Sequence, residues 1–163
     1  YHPLQAKADV YYWLGKAARA KGDETAAADW FRKSSAETGD FRDMAVQGYS
    51  ELSYFCGCSL SELGENEQAR QLFEAMLAYA KEKETETPRI DYFATSLPRL
   101  LVFEEDIETV HATEVALLKA YACLGLGEEG AAFEHYENAL RLTASDIRLI
   151  HLRESLPQGT AVR

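Results

Sequence analysis

The chain has 163 residues, 47% of them hydrophobic and 27% charged, a makeup that fits a folded domain and excludes a disordered one. Its 17 basic against 27 acidic residues leave a formal net charge of −10, which argues against nucleic acid and anionic membrane surfaces, since both need clustered lysine and arginine. No stretch approaches the roughly 18 apolar residues of a membrane span, and three cysteines, an odd number, fit reduced thiols and a cytoplasmic setting better than a disulfide framework.

Taken in chain order, apolar periodicity predicts helices over about Leu4–Ala20 and Asp23–Glu37, with Gly22 between them. A longer helix is expected over about Phe41–Leu63 and, after Gly64, another over about Glu67–Lys83. The segment from about 84 to 105 begins polar, as KEKETETP, and continues as RIDYFATSLPRLLVF. That second string is too rich in aromatic and branched residues for a flexible linker. It is expected to be buried, as an extended stretch and a short helical turn after Pro98. Helices follow over about Asp106–Leu126 and Glu128–Leu142. A last helix, capped by Ser145 with Asp146 in its first turn, is expected to stop before Pro157, leaving residues 158–163 to fray. The chain starts at Tyr1, without a methionine, and enters a helical pattern within a few residues; an excised piece of a longer protein is expected.

Three segments share one pattern. Gly22, Gly64 and Gly127 are each followed by an acidic residue, then by Ala27, Ala69 or Ala132, then by Phe31, Phe73 or Tyr136. The glycine can end a helix in the left-handed conformation at no steric cost. The acidic residue suits the next helix's N-terminus. The alanine lets two helices cross closely, and the aromatic one turn on fills the adjoining gap.

This pattern resembles the tetratricopeptide repeat. The first copy offers Tyr11, Leu14, Gly15, Ala18, Ala27, Phe31 and Gly39; the second offers Ser53, Cys56, Gly57, Leu60, Ala69, Phe73 and Lys81; the third offers Ala116, Lys119, Ala120, Cys123, Ala132, Tyr136 and Ala144, with Lys119 at an apolar position and no copy ending in proline. The resemblance implies an all-α fold of antiparallel helix-pair repeats, stacked as a short right-handed α-solenoid. Repeats are expected at about 8–41, 50–83 and 113–146, with a non-repeat insertion at about 84–105 and a C-terminal capping helix at about 146–156. The string IDYFATSLPRLLVFEEDI is also similar to a segment in the C-terminal repeat region of large bacterial multidomain proteins, which implies one module of a bigger chain.

In such domains the first helices of successive repeats line a concave groove. Carried onto this sequence, the groove row is Asp9, Tyr12, Lys16 and Arg19, then Glu51, Tyr54, Cys58 and Ser61, then Glu114, Leu117, Tyr121 and Leu124, bordered by Trp13, Phe55 and Leu118. The two-lysine, two-asparagine and arginine clamp that grips a peptide carboxylate in some members is missing, because Cys58 and Ser61 stand where amides or bases are needed. The candidate partner-binding residues are therefore Tyr12, Trp13, Lys16, Tyr54, Phe55, Cys58 and Tyr121, an aromatic stripe suited to a peptide with apolar anchors and some positive charge. A second placement is open: the same aromatics pack against RIDYFATSLPRLLVF within the chain.

No phosphate loop, nucleophile elbow or zincin motif is present. Cys56 and Cys58 on one helix point about 200° apart, poor geometry for sharing one ion. Cys123 falls at a core position, and His2, His111, His135 and His151 are scattered. No catalytic residue, metal or cofactor is expected. The sequence reads as a non-enzymatic interaction or scaffold module for a protein, a peptide or another domain of its own chain. The alternative is an accessory module of a multidomain enzyme, carbohydrate-active enzymes included, with its groove filled by its own insertion.

Overall fold

Three glycines in the left-handed region, Gly22 (φ 81°), Gly64 (φ 82°) and Gly127 (φ 77°), set the architecture. The structure, a computed structural model, describes residues 7–37, 40–42, 45–88 and 106–156. Within these, each glycine joins two antiparallel helices: α1 (Ala8–Ala20) to α2 (Glu24–Ser35), α3 (Glu51–Glu62) to α4 (Asn66–Thr85), and α5 (Ile107–Gly125) to α6 (Glu129–Leu142). All three turns close the same way. The amide of the glycine donates to the carbonyl three residues back, and the next amide donates to the carbonyl five back: Gly22 to Arg19 and Asp23 to Ala18, Gly64 to Ser61 and Glu65 to Leu60, Gly127 to Leu124 and Glu128 to Cys123. This pair of bonds satisfies carbonyls that the helix end leaves open, and it requires φ > 0 at the glycine.

Small residues govern how closely the helices of a pair approach. A Cβ on Gly15 would collide with the ring of Phe31, and one on Gly57 with the ring of Phe73. In the third pair Ala120, fully buried, takes the corresponding position and belongs to the same core cluster as Tyr136. Ala27, Ala69 and Ala132 on the second helices are all buried too. The core is thus built of alternating small and aromatic residues, which is how close-packed layers interdigitate.

Contacts between the pairs are uneven. The first helices touch one another in succession, α1 with α3 and α3 with α5, whereas the second helices α2, α4 and α6 make at most sparse contact with one another. Such an array curves, with its first helices on the inside. A last helix, α7 (Ile147–Ser155), packs on α5 and α6 and buries Leu149 and Leu152, with Leu156 just beyond it. The fold is the expected all-α, helix-pair solenoid type.

Two expectations need correction. The helix expected from Phe41 begins only at Glu51, and the residues before it form a short antiparallel hairpin, β1 (Asp40–Arg42) with β2 (Ala45–Gln47), in the register Asp40↔Gln47, Phe41↔Val46 and Arg42↔Ala45. The physical reason lies at Ser50. Its hydroxyl accepts from the Leu52 amide at 3.1 Å, while Ser53 Oγ accepts from the Ser50 amide at 3.1 Å. This reciprocal cap starts the helix there, and Gly48 weakens any helical run into it. The second correction concerns α7: Asp146, not Ser145, is its cap. The Asp146 carboxylate accepts from the Arg148 amide at 2.9 Å and also takes the Arg148 guanidinium, to Oδ2 at 2.6 Å from Nη2. A hydroxyl cannot hold both.

The polar start of the insertion continues α4 to Thr85. Its apolar part, RIDYFATSLPRLLVF, lies outside the described residues, as do the chain's first six residues and residues 158–163.

Candidate functional site

The inner face carries a continuous row of aromatic rings that crosses the first helices. Trp13 meets Tyr12 edge-on at 5.3 Å between ring centroids. Tyr12 reaches from α1 to Phe55 on α3 at 5.6 Å. Phe55 meets Tyr54 edge-on at 5.5 Å, and Tyr54 reaches Tyr121 on α5 at 5.1 Å. The row also leans on the second helices, through Tyr12 with Phe31 at 6.0 Å and Tyr54 with Phe73 at 5.9 Å. Tilted and edge-on arrangements at these separations are those that aromatic quadrupoles favour.

Members of the row differ in what they offer to solvent. Trp13 is 57% exposed, Tyr12 and Tyr54 are part-buried, and Phe55 and Tyr121 are 6% and 1% exposed. The structure therefore brings all five aromatic candidates together but splits them into a floor and a lip. Phe55 and Tyr121 are floor, and the Tyr121 hydroxyl donates to the Arg148 carbonyl at 3.4 Å. Trp13, Tyr12 and Tyr54 keep part of their surface open to solvent.

Lys16 and Cys58 flank this row. Lys16 Nζ lies 2.8 Å from Glu62 Oε1, and Arg19 also pairs with Glu62 while reaching Glu24 at 3.2 Å. Burial works against ionisation of Glu62, but Lys16 and Arg19 outweigh it and hold the carboxyl below its usual range. Glu62 was absent from the expected row. Its signal was available, since it stands one turn beyond Cys58 on the same helix. The pairing makes Lys16 and Arg19 a strut between α1 and α3, with no free cation left at Lys16 for a carboxylate ligand.

Burial pushes the Cys58 thiol up to about 11, against the opposing effects of a hydrogen bond from Tyr54 and the nearby Lys16. Burial likewise raises Tyr12 to about 12, helped by Cys58 and Glu62, and raises Tyr54 and Tyr121 above the usual phenol range. Cys56 is pushed up to about 12, chiefly by burial, and donates to the Glu37 carbonyl at 3.2 Å. A protonated thiol is a poor nucleophile and a poor metal ligand. Among the described residues no three His, Cys, Asp or Glu side chains are grouped to hold a metal ion. What this face provides is apolar area, ring edges and hydroxyls, which suits recognition rather than covalent chemistry.

At the far end of the row Arg148, held by Asp146, also feels Glu51 on α3 and Glu114 on α5. Glu114 lies 4.0 Å from Lys83 on α4. This end of the face is acidic on balance. Among the described residues no helix is long and apolar enough to cross a membrane.

No solved structure gives a significant match to this chain. Residues 8–35, which hold α1, its glycine turn and α2, match the family model of the tetratricopeptide repeat, and the helical structure fits a tetratricopeptide repeat domain, a type of module that generally mediates protein–protein interaction.

Proposed function

We propose that the chain is an interaction module of three repeats, at about 8–41, 50–83 and 113–146, whose concave face receives a peptide or a neighbouring domain. Trp13, Tyr12 and Tyr54 make the contact. Phe55 and Tyr121 support them from below, Lys16 sets the spacing of α1 and α3, and Cys58 holds the Tyr54 hydroxyl. The observation that carries this reading is an aromatic row crossing the inner helices with a largely exposed tryptophan at its lip. A large aromatic left in water is costly unless a partner covers it, and Trp and Tyr are the residues that most often anchor protein interfaces.

Affinity capture with the 163-residue chain and with its Trp13→Ala variant tests the proposal. Because Trp13 is mostly exposed, the variant is expected to keep its melting temperature within a few degrees and to lose at least about tenfold in recovery of the specific partner, equivalent to about 1.4 kcal/mol. Equal recovery by both forms removes the concave face from the account.

A further inference from the structure

Both ends of the helical stack leave large apolar side chains in solvent. Leu14, Cys56 and Lys119 hold one position in the three helix pairs, each directly before the small residue Gly15, Gly57 or Ala120. In pairs two and three the end of the preceding second helix covers that position. Cys56 is buried, and its thiol meets the Glu37 carbonyl just past α2 at 3.2 Å. Lys119 is buried too, and meets Glu84 of α4 at 2.6 Å. Leu14, in the first pair, is 40% exposed. One turn before it on α1, Tyr11 stacks on Trp30 of α2 at 5.7 Å, and Lys33 Nζ lies 4.2 Å from the Trp30 ring centre. This is the face that the fold covers with a helix wherever another pair precedes it.

The opposite end of the stack offers a helix for it. Packed on α5 and α6, α7 buries Leu149 and Leu152, yet Ile147 and Ile150, one turn apart on it, are each more than half exposed. A helix with apolar residues on two sides suits packing on two sides. Charge gives the match a direction. Residues 7–37 carry six basic against five acidic side chains, whereas residues 106–156 carry four against nine. Two acidic ends repel, while the acidic end and the slightly basic one attract. The contact these faces favour is therefore heterologous, one end on the opposite end, and every copy keeps a free face for the next.

We infer that copies of this chain associate head to tail, with Ile147 and Ile150 of one copy packed on Leu14, Tyr11 and Trp30 of the next. None of these residues belongs to the aromatic row, so the inference does not depend on what the concave face binds.

Sedimentation velocity of the 163-residue chain over a wide concentration range is the test, with Leu14→Glu and Ile150→Glu as variants at positions that solvent already reaches. The average mass of the parent chain is expected to rise with concentration past that of a dimer. Each variant alone lacks one of the two faces and is expected to need at least about tenfold higher concentration to associate. Mixed in equal amounts, the variants keep one intact face each and are expected to form a species of two chains and nothing larger. Circular dichroism checks that both stay folded, and Leu14→Gln or Ile150→Gln replaces a glutamate variant that loses its helical signal. A parent chain that stays monomeric throughout overturns the inference. Assembly that stops at two chains and responds to only one of the two substitutions overturns it as well, because that is a contact between like ends. Equal assembly by the parent chain and both variants overturns it too, by placing the contact elsewhere.

Discussion

Lys119 shows how one residue departs from a pattern without breaking it. It occupies an apolar position of the third repeat and is 8% exposed, yet its ammonium emerges beside Glu84 Oε2 at 2.6 Å. The aliphatic stem fills the core position and the charged head snorkels to the surface. Because the Glu84 side chain is 58% exposed, solvent screens the pair and its net worth is small. Glu84→Gln is expected to cost about 1 kcal/mol in urea unfolding, mainly by leaving the ammonium without its counter-charge. Lys119→Met, which keeps the volume and removes the charge, is expected to be neutral or stabilising. A large loss on Lys119→Met would mean that the charge itself holds α4 to α5. Cys58 supports a pH prediction. Its folded thiol titrates near 11 against an ordinary value of 9.0, so the fold favours the protonated form. That contribution is complete below pH 9 and is lost as pH rises through about 11. The melting temperature should therefore fall between pH 9 and 11, and fall less steeply in Cys58→Ala. Identical slopes for the two forms would contradict the buried placement of this thiol. Helix periodicity sets Cys58 one turn from Tyr54, but the burial of Phe55 and Tyr121 depends on tertiary neighbours that one helix's periodicity does not contain.

At the scale of elements, helix ends were the most legible feature where a glycine dictated them and the least where caps competed. Gly22, Gly64 and Gly127 each mark a turn because only φ > 0 closes the pair of hydrogen bonds to the preceding helix. The helix starts after these turns differ. Asp23 Oδ1 accepts from the Ala26 amide at 3.0 Å, whereas Glu65 and Glu128 at the same position make no side-chain cap. One more methylene carries the carboxylate past the amide it should meet. Asp23→Ala is expected to cost about 1 kcal/mol and Glu65→Ala only a few tenths, measured by chemical denaturation; equal costs would show that charge near the helix end, not the hydrogen bond, matters. The β1–β2 hairpin was missed because Phe41 to Gln47 has apolar content compatible with either period. Gly48 and the Ser50–Ser53 cap decide the matter, and both lie after the ambiguous stretch. Packing between elements depends on Gly15, where a methyl group would meet Phe31. Gly15→Ala should gain helix propensity but lose about 1–3 kcal/mol to overpacking, a net destabilisation visible as a lower denaturation midpoint.

For the molecule as a whole, the uneven contacts between inner and outer helices turn three helix pairs into a curved stack with a row of rings across its inside. The shared glycine turns and the aromatic positions carry that arrangement in the sequence, although the turns are unevenly spaced along it. The central claim is that this inner face is where a partner binds. Site-specific photocrosslinking tests it most directly: benzoylphenylalanine is placed at Trp13 on the inner row and, separately, at Asp29 on α2, whose side chain is 62% exposed. The account predicts a discrete crosslinked species from position 13 and none from position 29. A discrete species from position 29 with none from position 13 would contradict it.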